Sequence, residues 1–328
     1  MENKKQQNKV FKWITTKKEL GIFLALMLIF VISGIMNPNF FGIYNITNII
    51  FQASFVYIVA IAMTFILILA GLDLSVGSVM ALAGVVTGFS LLAGIPVVIS
   101  IIFGLLVGAA VGFFNGFMIT VAKIPGFIVT LSSQYIARGL CEFLTRGNPV
   151  YPLPDNFTVL GQGKVYIGSV GIQWTVIIAV ILAIIAHIVL TQTTFGRSVF
   201  AIGGNAETSR HSGLNVRRTT MIVYLLSATC AALSGILTAA RLGSALSNAG
   251  TNYEMTAIAS GIIGGTSMFG GSGSILGTTI GALLMTTVTN AMAMLDISVY
   301  LQKVVIGGII LSAVALDQFS RKKNGSRV

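Results

Sequence analysis

The stretch Ala70-Gly71-Leu72-Asp73-Leu74-Ser75-Val76-Gly77-Ser78 places one acid inside a very long apolar part of the chain. Neither 20–72 nor 74–122 contains an Asp, Glu, Lys or Arg. An Asp at the centre of a membrane helix costs about 2.5 to 3.5 kcal/mol, so Asp73 is expected at a wet turn or beside a partner. Four neighbours are of the types that form turns and helix caps: Gly71, Ser75, Gly77 and Ser78.

We interpret this stretch as a polar break between two membrane helices. Two roles for Asp73 remain open at this point. It either caps the next helix in a simple connecting turn, or it takes a direct part in transport.

The composition indicates a polytopic membrane protein. Of the 328 residues, 55% are hydrophobic and only 9% are charged, and the mean hydropathy is +0.91, whereas a soluble domain carries about 25% charge. The net charge of +11 does not indicate nucleic-acid binding, because the lysines and arginines cluster at the ends of apolar runs. The two cysteines, Cys141 and Cys230, lie in apolar segments and predict neither a disulfide nor a metal site.

The apolar runs predict an all-α fold of about ten transmembrane helices, with both termini in the cytoplasm. Residues 1–18 form a basic tail, 19–318 the membrane domain and 319–328 a second basic tail. The polar segments 145–170 and 191–218 are predicted as an outer and a cytoplasmic loop. The expected spans are 20–36, 46–70, 78–93, 97–122, 127–144, 172–190, 219–240, 254–268, 275–294 and 298–316.

The distribution of charge supports this topology. The segments it places in the cytoplasm are the two tails, the loop at Lys123 and residues 191–218, and they hold 15 of the 20 lysines and arginines. With this orientation the Asp73 turn lies at the cytoplasmic end of the second span. There we expect Asp73 to cap a helix, either exposed to water or paired with another residue.

The fourth predicted span carries glycines in four-residue steps. One helix face is therefore bare of side chains and lets a neighbouring helix pack closely, although a substrate-facing groove is an alternative. The glycines are Gly104, Gly108, Gly112 and Gly116.

The cytoplasmic loop contains a short predicted helix. Asn205 is a good N-cap residue, Gly213 fits the position just past a helix end, and Glu207 and Arg210 suit the helix dipole. A two-turn helix between the sixth and seventh spans is either a docking element for a soluble partner or an interfacial helix without one.

Both stretches resemble one known family. Gly71-Leu72-Asp73-Leu74-Ser75-Val76-Gly77-Ser78 is similar to the hallmark of ribose-type sugar permeases of ATP-binding cassette importers, and Gly203–Val216 resembles the coupling loop of that family. The resemblance covers roughly residues 45–316. Branched-chain amino-acid permeases of the wider superfamily lack this form of the first motif. Further similar blocks are 239–242, 249–254 and 264–267.

The resemblance implies the membrane subunit of a bacterial importer in the inner membrane. A cytoplasmic ATPase, which holds the ATP and Mg, would dock on the coupling loop, and an extracytoplasmic sugar-binding protein would touch 145–170 and 241–253. A second permease copy or a related permease would complete the pore. This chain itself would bind no cofactor, and its sequence has no phosphate-binding loop. The coupling residues are Gly204, Asn205, Glu207, Arg210 and Gly213.

Four polar residues in the spans could face the sugar pathway or could equally hold helices together. They are Asn115, Gln134, Thr289 and Asn290. Two other functions are weighed against the importer. An ATP-independent carrier or channel often has a coupling-ion site, and a membrane enzyme needs clustered His, Asp, Glu or Cys; neither pattern is visible in the sequence.

Overall fold

The computed structural model describes residues 18–168 and 170–323. The predicted basic tail, 1–18, lies outside the described residues except for Lys18, and so do residues 324–328 of the second tail. The 3-10 helix Pro38–Phe41 follows the first helix. The α-helices are α1 Lys18–Met36, α2 Ile43–Ile68, α3 Val76–Leu92, α4 Val97–Thr120, α5 Gly126–Thr145, α6 Asp155–Gln162, α7 Trp174–Gln192, α8 Thr194–Gly204, α9 Ala206–His211, α10 Val216–Leu242, α11 Tyr253–Ile263, α12 Ile275–Met294 and α13 Val299–Lys323.

The helices make this a multi-pass membrane protein. Within the described residues, six helical stretches are long and apolar enough to cross a bilayer: α2, α4, α7, α10, α12 and Val299–Phe319 of α13. Two shorter apolar helices, Leu20–Met36 and α3, accompany them. The expected eighth span, 254–268, differs: α11 ends at Ile263, because Gly264 caps the helix and Gly265 has a φ of +85°.

The helix α2 forms the centre of the bundle. Its residues from Ala53 to Ile68 are all buried, and it packs against α7, α10, α11 and α12. A helix that is apolar on every side is covered either by lipid or by other protein, and for this part of α2 the cover is other helices. Because four helices surround α2, its two ends, at Ile43 and Ile68, are held in place relative to the rest of the protein.

The glycine face of α4 packs against α10, as the sequence predicted. A Cβ on Gly108 would lie 2.5 Å from the Cβ of Ala232, and one on Gly112 would lie 2.7 Å from the Tyr224 carbonyl oxygen. The bare face brings the two backbones together, and the packing helix, not a groove, occupies it.

Residues 145–170 are more ordered than a loop. They contain α6 and the strand β1, Lys164–Ile167, which pairs antiparallel with β2, Val170–Gln173. Phe157 of α6 is fully buried, and Val150 pairs with Ala245. Apart from this short hairpin, the regular structure of the described residues is helical, in agreement with the all-α prediction.

Candidate functional site

The Asp73 stretch is a non-helical segment that lies inside the bundle. Between the end of α2 and the start of α3 the chain is neither helix nor strand, and Ala70 has a φ of +57°. Asp73 is fully buried. Its Oδ1 accepts hydrogen bonds from the Ser75 amide (3.0 Å) and the Ser75 hydroxyl (2.6 Å), and its Oδ2 accepts one from the Ser227 hydroxyl (2.7 Å).

These bonds continue into two further helices. Asn115 of α4 donates from Nδ2 to the Ser75 hydroxyl over 3.1 Å, and the Ser133 hydroxyl of α5 donates to Asn115 Oδ1 over 2.5 Å. Asn115 is itself fully buried. We call Asp73, Ser75, Asn115, Ser133 and Ser227 the Asp73 network; it joins the non-helical segment to α4, α5 and α10.

The burial of Asp73 excludes the expected water-exposed turn and supports the other alternative, in which the acid lies beside a partner. Ser227 lies eleven residues into α10, which at a rise of about 1.5 Å per residue places the contact roughly 16 Å from the start of that helix. Ser133 lies about 10 Å into α5 by the same rise. Ser75, not Asp73, is the N-cap residue of α3, and it makes no side-chain capping bond. After α2 ends, the chain turns back into the protein before α3 begins.

The other residues of the motif permit close approach. A Cβ on Gly71 would lie 2.9 Å from the Tyr224 hydroxyl, and one on Gly77 would lie 2.2 Å from the Gly250 carbonyl oxygen and 2.6 Å from Glu254 Oε2. The Ser78 hydroxyl is buried, and among the described residues it has no hydrogen-bond partner. Gly77 thus brings the start of α3 into backbone contact with the segment before α11.

The predicted cytoplasmic helix is present as α9, Ala206–His211. Asn205 caps it, since its side chain accepts a hydrogen bond from the Thr208 amide over 2.8 Å. Gly213, with a φ of +83°, follows its end. Glu207 and Arg210 are exposed. The local prediction of this helix and of its caps is therefore confirmed.

The segment before α9 contacts the end of α2 through glycine backbones. A Cβ on Gly203 would lie 1.6 Å from the Ile68 carbonyl oxygen and 2.9 Å from the Gly271 nitrogen. The Gly271 amide donates to that same Ile68 carbonyl over 2.9 Å. We call Ile68, Gly203 and Gly271 the glycine junction. It connects α9 to the end of α2, only five residues before Asp73.

A groove of about 820 Å³ opens beside α9. Its lining includes three basic residues, Lys123, Arg210 and Arg217, and one acid, Glu207. All five predicted coupling residues are on α9 or within two residues of it, Gly204 being the last residue of α8, and all five are exposed. An exposed helix beside a groove offers both a projection and a recess to a partner.

The four polar residues of the spans make separate hydrogen bonds. Asn115 belongs to the Asp73 network, and Asn290 donates to Asn45 Oδ1 over 3.0 Å. The Thr289 hydroxyl donates to the Met285 carbonyl of its own helix. Gln134 is half-buried and donates to Glu254 Oε1 over 3.4 Å. The buried bonds of Asn115 and Asn290 fit the alternative in which such residues hold helices together.

Sequence reasoning missed two charged residues inside the bundle. Arg138 of α5 donates to the carbonyls of Ser247 and Ala249, and Glu254 is 5% exposed, with Oε2 lacking a hydrogen-bond partner among the described residues. The available signal was Arg138 itself, a cation within an apolar run. Charged residues inside membrane helices commonly mark functional sites.

Within the part of the chain that the structure describes, no group of three or more His, Cys, Asp or Glu is placed to hold a metal ion. Cys141 and Cys230 are free thiols. The arrangement consists of an exposed capped helix, a backbone junction to a central helix, and a buried polar network.

Comparison with known proteins places the chain in a family. Residues 45–314 match the family described as "Branched-chain amino acid transport system / permease component". The chain is 37% identical to the D-allose transport system permease protein of Escherichia coli (strain K12) over 98% of both chains. It is 38% identical to the ribose import permease protein of Bacillus subtilis (strain 168) over 94% of both. The xylose transport system permease protein of Haemophilus influenzae is 33% identical over 93% of this chain and 98% of the relative. No solved structure gives a significant match.

These relatives are permease subunits, not ATPases, and they confirm the resemblance of the two motifs to ribose-type permeases. The matched region contains both the Asp73 network and α9. The chain therefore belongs to this family of transport-system permease components.

Proposed function

We propose that the chain is the membrane subunit of an ATP-driven importer that carries a monosaccharide across the bacterial inner membrane. The relatives that match nearly the whole chain are permeases for D-allose, ribose and xylose. A neutral sugar also suits the described spans, which are poor in charged side chains. The substrate class is thus supported by relatives and by composition together.

The proposed topology has ten crossings and cytoplasmic termini. The excess of basic residues beside α9 and at Lys123 supports that side as cytoplasmic. Two of the crossings are discontinuous: residues 69–75 with α3, and residues 243–252 with α11. Non-helical backbone at membrane depth is tolerated where protein surrounds it, and the start of α3, directly after the first non-helical segment, contacts the second where Gly77 meets Gly250.

A cytoplasmic ATPase, which holds ATP and Mg, is proposed to dock on α9 and its groove. The observation that carries this proposal is the glycine junction. Gly203, in the last turn of α8, contacts the Ile68 carbonyl with no side chain between them, so a displacement of α9 would pass through the end of α8 to the end of α2. Since the non-helical Asp73 segment follows Ile68, the same displacement would reach the interior of the bundle.

At the opposite end, an extracytoplasmic sugar-binding protein is proposed to contact 145–170 and 241–253. A second copy of the chain, or a related permease, completes the pore.

Gln134, half-buried beside Glu254, is the pathway candidate that the geometry favours among the four polar residues of the spans.

The docking proposal is tested by replacing Glu207 and Arg210 with alanine and measuring ATP hydrolysis stimulated by sugar-loaded binding protein. We expect stimulation to fall at least five-fold while the variant stays folded. The matched control is Asp296→Ala with Lys303→Ala. These two residues are an exposed acid and an exposed base outside α9 and its groove, and replacing them should leave stimulation unchanged. Full stimulation in the α9 variant rejects the docking site, and sugar uptake without any ATPase favours a carrier instead.

A further inference from the structure

A groove of about 550 Å³ lies at the end of the bundle opposite α9. Its walls are the start of α2, the end of α6 and the β1–β2 hairpin, and Arg241 of α10 also lines it. The helix α2 begins at this groove and ends at the glycine junction, so the two features are separated by the full length of that helix. Small-molecule sites have volumes of about 300 to 1,000 Å³, and this outer groove falls within that range.

The floor of the outer groove is held in place by packing. The Arg241 guanidinium carbon lies 4.7 Å from the centroid of the Phe51 ring and 5.3 Å from that of Phe55. Gln162 Nε2 donates to the Arg241 carbonyl over 3.0 Å. A Cβ on Gly161 would lie 2.2 Å from the Arg241 nitrogen, so α6 and the end of α10 are in backbone contact. A groove fixed in this way loses little freedom when a ligand binds.

Aromatic and neutral polar side chains line the walls. Tyr44 on α2 is 83% exposed and Tyr166 on β1 is 69% exposed, so both rings are available to a ligand. Asn48 on α2 and Gln173 on β2 contribute amide groups, each with donor and acceptor atoms. The groove therefore combines flat apolar surfaces with groups that can both donate and accept hydrogen bonds.

This chemistry selects among ligand classes. No Asp or Glu is found among the described residues that line the groove, so a cation would lack a counter-charge. A phosphate group prefers several cationic donors, but only Lys164 and Arg241 are present, and Arg241 is already stacked against Phe51 and Phe55. A sugar presents apolar C–H faces to aromatic rings and hydroxyl groups to amides, which matches the groove.

We propose that the outer groove binds a monosaccharide, at low affinity, where it enters the permease. The inference rests on the proposed function, in which sugar arrives at this end of the molecule. Tyr44 and Tyr166 supply the ring surfaces, and Asn48 and Gln173 bind the hydroxyl groups.

The test is saturation-transfer NMR on the full chain in phosphatidylcholine nanodiscs, with D-ribose, D-allose and D-xylose as probes. We expect a signal from at least one sugar and at least a five-fold loss in Tyr44→Ala with Tyr166→Ala. Tyr44→Phe with Tyr166→Phe keeps the rings and should retain at least half of the signal. Tyr300→Ala, at an 82% exposed tyrosine outside the groove, should retain all of it.

A second pair, Asn48→Ala with Gln173→Ala, provides an independent measurement and should reduce the signal at least three-fold. The absence of any sugar signal in the wild-type chain overturns the proposal, and so does an equal signal in wild type and both groove variants.

Reconstitution with the ATPase and the binding protein separates this inference from the proposed function. If the wild-type chain shows no ATP-driven uptake of sugar, the proposed function fails. If uptake is normal and the groove variants bind sugar as well as wild type does, only the outer groove is rejected.

Discussion

The Asp73 network and the glycine junction attach the same part of the chain to its surroundings by opposite means. Inside the bundle, Asp73 accepts three hydrogen bonds from Ser75 and Ser227. At the end of α2, Ile68 meets Gly203 and Gly271 through backbone alone. A buried polar group must be satisfied by partners, whereas a contact between backbones requires that side chains be absent.

The difference predicts two kinds of sensitivity. The Asp73 network should tolerate the loss of the charge on Asp73 as long as the side chain keeps its size and still accepts hydrogen bonds. The glycine junction should tolerate no added atom at Gly203, although its neighbour Gly204 faces open space. Both regions can therefore be tested with pairs of closely related variants.

The largest effect is expected from Asp73→Leu. Leucine removes the acceptor of three buried hydrogen bonds, and each unsatisfied donor costs about 1 to 3 kcal/mol. We expect the variant to fail to assemble, as measured by fluorescence-detected size-exclusion chromatography.

Asp73→Asn is the matched control, because it keeps one carbonyl oxygen and the size of the side chain. It should assemble and retain ATP-driven uptake, at a cost of about 1 kcal/mol. Assembly of the leucine variant at the wild-type level would show that the network does not hold the bundle together.

A smaller but still large effect is expected from Gly203→Ala. The new Cβ would overlap the Ile68 carbonyl oxygen, so the backbone must shift and the Gly271–Ile68 hydrogen bond weakens. We expect a loss of about 3 kcal/mol, seen as a lower midpoint of thermal unfolding in detergent, together with reduced coupling of ATP hydrolysis to uptake.

Gly204→Ala is the matched control at the neighbouring position, where a Cβ would have no neighbour within 4 Å. It should unfold at the wild-type temperature. Equal behaviour of the two alanine variants would contradict the close contact between Gly203 and Ile68.

The smallest effect is expected from Ser133→Ala, which removes the hydroxyl that donates to Asn115 Oδ1 at the edge of the Asp73 network. Hydrogen bonds between membrane helices contribute about 0.6 kcal/mol on average, so the unfolding midpoint should fall only slightly. Ser132→Ala, at the exposed neighbouring residue, should change nothing. A double-mutant cycle with Asn115→Ala should give a coupling of the same small size.

The local features of the cytoplasmic loop were predictable from the sequence because short-range chemistry decides them. Asn205 caps α9 through an amide only three residues away, and Gly213 follows the helix end with a positive φ. The glycine face of α4 was predictable for a similar reason, since the four-residue spacing fixes one helix face regardless of what covers it.

The depth of Asp73 could not be predicted in the same way. A polar break between two apolar runs is normally placed at the membrane surface, and the sequence contains no local sign that the chain turns back into the bundle. The partner Ser227 is 154 residues further along the chain. Arg138 and Glu254 were likewise missed as interior residues, because their neighbours come from distant segments.

By itself, the sequence determined the multi-pass helical class, the family and the position of α9, because apolar length, local caps and short motifs depend on neighbouring residues. Only the tertiary structure decided how the Asp73 stretch and the cytoplasmic loop are connected. That connection passes through the carbonyl of Ile68, where Gly203 and Gly271 meet it. The stretch that first suggested an exposed turn is a buried segment, in which the Ser227 hydroxyl of α10 adds a third hydrogen bond to the two that Ser75 of the same stretch donates to Asp73.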